Sequence, residues 1–163
     1  MSIGTWIKRL FTASSNVPKR GAPMALTEDE FHNSLRDFLG VQPDVQFSDS
    51  TYSIVQKEWL IYAWYEYFEK VLDGLKITGW KSNFDCDNFA LLYLALIQAC
   101  HTKANAKTEG IAVGMIWFES DSIGGHAVNI ALTDKGWVCV EPQNGAEMIL
   151  SVKEKQSCWF AYF

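Results

Sequence analysis

The stretch Phe84-Asp85-Cys86-Asp87-Asn88-Phe89-Ala90 sets a cysteine at the start of an apolar helix. After it, Phe89, Leu92, Tyr93, Leu96, Ile97 and Cys100 recur at steps of three and four residues, the spacing of one buried helical face. Asp85 suits an N-cap, because a carboxylate can accept from the free N–H groups of a first helical turn. Cys86 then lies one turn before Phe89 and Ala90, at the edge of the same face. A helix N-terminus stabilises an anion, and the thiolate is the nucleophilic form of cysteine. The stretch therefore puts two questions to the rest of the chain: what this helix is buried against, and whether a base meets the thiol.

Towards the N-terminus, Thr27-Glu28-Asp29-Glu30 has the form of a capping box, and Phe31, Leu35 and Leu39 follow as an apolar stripe that Gly40 stops. Residues 41–50 read as loop, with a short extended piece at 45–47. A long helix is expected from residue 51 or 53 to about 72, ended by Asp73-Gly74, with Trp59, Leu60, Trp64, Tyr67, Phe68 and Val71 around most of its circumference. Beyond Gly110 the apolar period falls to two. Residues 111–118, 126–132 and 137–141 read as strands, 148–152 and 158–163 as two more, with polar turns at 119–125, 133–136 and 142–145. Helices first and an antiparallel meander after them give an α+β fold.

At 163 residues the chain is one domain with a short appendage, and 48% hydrophobic against 20% charged residues leaves material for a sizeable core. The net charge of -5 excludes general attraction to nucleic acid. The longest apolar run, residues 89–99, is broken by Gln98 and too short to be a transmembrane segment. Cys86, Cys100, Cys139 and Cys158 show no CxxC spacing, which argues against a zinc knuckle or a disulfide scaffold. With no signal peptide recognised, the expectation is reduced thiols in the cytoplasm, or association with a virion for a phage-encoded chain. Residues 1–23 form a basic amphipathic segment and linker. They carry Lys8, Arg9, Lys19 and Arg20 with no acid, and Ile3, Trp6, Ile7, Leu10 and Phe11 share one helical face. A partner groove or an anionic membrane surface would suit that segment. Residues 24–163 are the folded domain.

His126, Val128, Ile130 and Leu132 point to one side of their strand. A hairpin centred on Asp134-Lys135 sets Leu132 opposite Trp137, Ile130 opposite Cys139 and Val128 opposite Glu141, which makes Glu141 the diagonal neighbour of His126. An imidazole fixed by a carboxylate is an oriented base. If the Cys86 helix packs across that face, the three residues make a Cys-His-Glu set fit for acyl transfer through a thioester. The Cys86 N–H would supply one oxyanion donor, with Gln56, Asn83 or the Trp80 N–H as the second and Gln143 as support. His32 and His101 read as surface or helix-end residues.

Asp85-Cys86-Asp87-Asn88-Phe89-Ala90, Gly125-His126-Ala127-Val128-Asn129 and Glu141-Pro142-Gln143 resemble the papain-like domain at the C-terminus of certain mushroom agglutinins, a domain with bacterial and phage relatives. The likeness runs over about residues 45–143. It implies a papain-like or transglutaminase-like fold with the nucleophile at a helix N-terminus, and a cysteine protease whose triad is Cys86, His126 and Glu141. It also implies Ca2+ as an activator, for which Asp49, Asp87 and Asp121 are the oxygen donors at hand. Two features depart from that pattern: there is no lectin module to bring substrate, and no glutamine shortly before Cys86. The expectation is thus a thiol hydrolase, a cysteine protease or amidase acting on a protein or peptide substrate, with no cofactor required by the residues themselves. The alternative is a catalytically silent binding or structural module of a phage or toxin assembly.

Overall fold

The alternating apolar segments beyond Gly110 become the middle of a mixed nine-stranded sheet in a computed structural model that describes residues 20–104 and 109–163. Its strands are β1 Arg20–Thr27, β2 Asp44–Gln46, β3 Thr51–Val55, β4 Gly110–Ile111, β5 Val113–Ser120, β6 Gly124–Thr133, β7 Gly136–Val140, β8 Glu147–Met148 and β9 Phe160–Tyr162. The helices are α1 Glu28–Leu39, α2 Tyr65–Leu75, α3 Cys86–Ala104 and α4 Val152–Gln156, with a π-helical segment Trp59–Trp64 leading into α2. Strands run in the order β1-β3-β6-β5-β9-β2, with β4 beside β3, β7 beside β6 and β8 beside β7.

The central strands are buried on both faces, which explains why β6 reads as an almost unbroken apolar run. On one face Val113, Met115, Ala127, Ala131, Val138 and Val140 meet Trp64, Phe68, Phe89, Tyr93 and Ile97 of the π-helical segment, α2 and α3. On the other, Ile116, Phe118, Val128, Ile130 and Cys139 meet Phe31, Leu35 and Leu39 of α1, together with Phe163. Local signals set α1: the Thr27 hydroxyl accepts the Glu30 N–H at 3.3 Å, Glu30 returns the bond to the Thr27 N–H at 2.9 Å, and Gly40 ends the helix at φ 68°. The β6–β7 hairpin also has the expected register, with Leu132 opposite Trp137 and Ile130 opposite Cys139.

Helical and strand content agree with α+β, but helices followed by an antiparallel sheet do not describe the chain. β1 precedes every described helix and begins in residues expected to be linker, and β3 replaces the expected start of the long helix. Three pairings, β2–β9, β3–β4 and β3–β6, are parallel. The physical reason is that Thr51-Tyr52-Ser53-Ile54-Val55 finds hydrogen-bond partners at residues 110–111 and 133, and the burial those pairings bring outweighs weak local preference. The helical path begins only after Gln56, and Trp59–Trp64 within it is π rather than α. Between the expected strands 148–152 and 158–163, residues 152–156 form a short helix capped by Ser151 and Glu154. The apolar face expected over Ile3 to Phe11 lies outside the described residues.

Candidate functional site

Cys86 is the first residue of α3 and half-buried against the aromatic side of the core. The Asp85 N–H donates to Asn88 Oδ1 at 3.1 Å, and the Asn88 N–H donates to Asp87 Oδ1 at 3.0 Å while also acting on the Asp85 carboxyl. This is the return half of a capping box, with asparagine in place of glutamate. The Asp85 carboxyl is held above its ordinary range, first by the hydrogen bond it shares with the Asp87 carboxyl. Cys100, Cys139 and Cys158 are buried; burial pushes the Cys139 thiol up to about 12 and the Cys158 thiol to about 11.

His126 and Glu141 meet as the hairpin register requires. His126 Nε2 lies 2.8 Å from Glu141 Oε2, with only 4% and 12% of the two side chains exposed. The other carboxylate oxygen accepts the Gln143 N–H at 3.1 Å. Glu141 also closes a tight turn, donating its N–H to Ala146 O at 2.9 Å and accepting the Gly145 N–H at 2.8 Å. The edge of Phe118 fixes the imidazole from the side, ring centres 5.7 Å apart at 70°. A carboxylate accepts only, so Nε2 carries the shared proton.

The helix that bears Cys86 rests on the opposite face. Ala127 and Ala131 meet α3, and Asn129 between them donates from Nδ2 to Ala90 O and to Gly114 O, both at 3.1 Å. His126 alternates with Val128 and Ile130, which belong to the α1 side. Among the described residues no hydrogen bond joins Cys86 to His126 or Glu141. Asn129, just 1% exposed, is the functional-looking polar residue that strand alternation alone did not single out.

The supporting residues are dispersed. Gln56 lies between β3 and the π-helical segment, Asn83 is exposed in the turn closed by Lys81 and Phe84, and the Trp80 side chain is 61% exposed. Gln143 meets the Glu141 carboxylate through its backbone N–H. His101, expected near the surface, is 6% exposed, and its Nε2 lies 2.9 Å from Glu109 O. The three aspartates do not converge. Asp87 is in the first turn of α3, and Asp121 bonds Lys153 at 2.6 Å in the β5–β6 turn. Asp49 borders a cavity of about 350 Å³ with Gln98, His101 and Thr102 of the last turns of α3. Helix α3 has 19 residues, so Asp49 and Asp87 mark ends separated by about 28 Å of helix. Among the described residues no group of three or more His, Cys, Asp or Glu side chains could hold a metal ion. No described helix is long and apolar enough to cross a membrane.

Comparison with known proteins agrees with one part of this picture and corrects another. Two solved structures share the fold. One is described as a PSL1a-E64 complex, 23% identical with a TM-score of 0.65, matching 85% of this chain and 50% of its own. The other is Polyporus squamosus lectin bound to the human-type influenza-binding epitope Neu5Aca2-6Galb1-4GlcNAc, 24% identical with a TM-score of 0.66, over 85% of this chain and 49% of the lectin. The chain thus spans about half the length of each. A search of curated proteins returned no match. The fold is accordingly the mixed sheet shared with these agglutinin structures, not the expected papain-like or transglutaminase-like arrangement. The matches found are an agglutinin family model and a lectin structure, and they replace the expectations of an enzyme and a cysteine-protease hydrolase with an agglutinin-type domain. The family model described as Agglutinin C-terminal matches residues 47–147, a span that contains Cys86, His126 and Glu141, and the chain belongs to that family.

Proposed function

We propose that this chain is a non-catalytic binding module of an agglutinin-type protein, and that the ligand it recognises is a glycan. The observation that carries the first half is the layering around the sheet. α3 covers the face of Ala127, Asn129 and Ala131, His126 alternates onto the face of Val128 and Ile130, and among the described residues no hydrogen bond joins Cys86 to His126. A thiol and an imidazole act as nucleophile and base through a hydrogen bond between them, which tightens in the reacting complex. The second half takes its support from the epitope bound by the Polyporus squamosus lectin.

Two measurements test the two halves separately. Calorimetric titration of the full chain with Neu5Acα2-6Galβ1-4GlcNAc should show saturable binding that an unrelated glucose oligomer does not. Absence of binding to that epitope and to a panel of other glycans would remove the glycan. For the first half, each thiol is alkylated at pH 7 and the rates are read by peptide mass spectrometry. Cys86 should label at least tenfold faster than Cys100, Cys139 or Cys158, simply because those three are 2–4% exposed. Replacing His126 by alanine should change the Cys86 rate by less than twofold. A tenfold drop in that variant would show that imidazole and thiol cooperate, and the non-catalytic reading would fall.

A further inference from the structure

We propose that Tyr65 is a positioning residue for the His126–Glu141 pair, holding the turn that aims the Glu141 carboxylate. Tyr65 opens α2 directly after the π-helical segment and is half-buried. Its ring lies against the backbone of Gly145, where an added Cβ would come within 2.4 Å of Tyr65 Cδ1 and Cγ. Gly145 also has φ +72°, so a side chain there is opposed twice, by backbone conformation and by the ring.

Gly145 is tied directly to Glu141. Its N–H donates to the Glu141 carbonyl at 2.8 Å, and the Glu141 N–H donates to Ala146 O at 2.9 Å. Contact at one end of this closed turn therefore fixes the residue at its other end, whose Oε2 meets His126 Nε2 at 2.8 Å. The phenol of Tyr65 is pushed up to about 12 by burial and then by the negative charges of Glu69 and Glu141, which places it in the field of that carboxylate. Tyr93 of α3, fully buried with its hydroxyl unpartnered among the described residues, is also under the electrostatic influence of Tyr65.

The test reads the shared proton itself. The full chain is labelled with 15N-histidine, and the His126 Nε2–H resonance is assigned by its loss in His126→Gln. Tyr65→Leu should accelerate exchange of that proton with water at least tenfold, while Tyr65→Phe, which keeps the ring against Gly145, should stay within twofold of the native rate. A folded Tyr65→Leu chain with native exchange would overturn the proposal, since a ring that merely fills space leaves this proton unaffected. Should Tyr65→Leu fail to fold, Tyr65→Met, which removes the flat ring from Gly145 with less loss of side-chain length, is read by the same criteria. No ligand enters the measurement, so its outcome is independent of whether the chain binds a glycan.

Discussion

Replacing Gly114 by valine should leave a chain that does not fold stably. A Cβ at this position would lie 2.3 Å from Tyr162 O and 2.4 Å from Phe163 Cδ1. Neither side can yield. Gly114 is fixed in β5 opposite Ile130, and its carbonyl accepts from Asn129. Tyr162 is held in β9 between β5 and β2, and the Phe163 N–H donates to Gln46 O at 3.0 Å. The fully buried Phe163 ring sits edge-on to Phe31 at 4.8 Å and stacks with Phe47 at 5.9 Å. Overpacking a core costs about 1–3 kcal/mol when side chains can shift, and more when backbone must move. Here a strand must move, so the expected loss exceeds about 4 kcal/mol, a large part of the roughly 5–15 kcal/mol that holds a domain folded. Urea unfolding followed by fluorescence measures it, with Gly114→Ala as the milder member of the series. A soluble Gly114→Val chain with a native midpoint would mean that β9 does not cross β5 where the structure places it.

The same strand shows where sequence reasoning stops. Capping at Thr27, the α1 stripe and the β6–β7 register were legible because each depends on residues within one turn of helix or one hairpin. That register was enough to bring His126 to Glu141. The pairings of β1, β3 and β9 were not legible, since β2 meets β9 across more than a hundred residues and β3 meets β4 across more than fifty. Periodicity says that a segment has an apolar face, not which distant segment will cover it. For the same reason alternation placed His126 with Val128 and Ile130 but left open which face α3 would take. A subtler signal was present. Ala127 and Ala131 flank Asn129 on one face while Val128 and Ile130 occupy the other, and the small pair lets a helix approach closely enough for Asn129 to reach the Ala90 carbonyl. Tyr65 offered no sequence signal, because its partner Gly145 is eighty residues away.

Glu141→Ala should destabilise the chain by about 2–4 kcal/mol, because it leaves the His126 imidazole buried without its acceptor and frees the Gln143 N–H as well. The double variant His126→Phe with Glu141→Leu should recover most of that loss, since apolar groups of similar volume remove the need for either partner. A double-mutant cycle completed with the two single variants gives the coupling energy. A value above about 1 kcal/mol would identify the pair as part of what stabilises the β6–β7 end of the sheet, in keeping with a module whose pair has no chemistry to perform. The opposite outcome carries as much information. Residues kept for chemistry commonly hold a protein below its stability optimum, so their removal costs little or even stabilises. If the apolar pair proves more stable than the native chain and Glu141→Ala costs less than about 0.5 kcal/mol, the fold does not need the pair, and the non-catalytic reading would lose its structural footing.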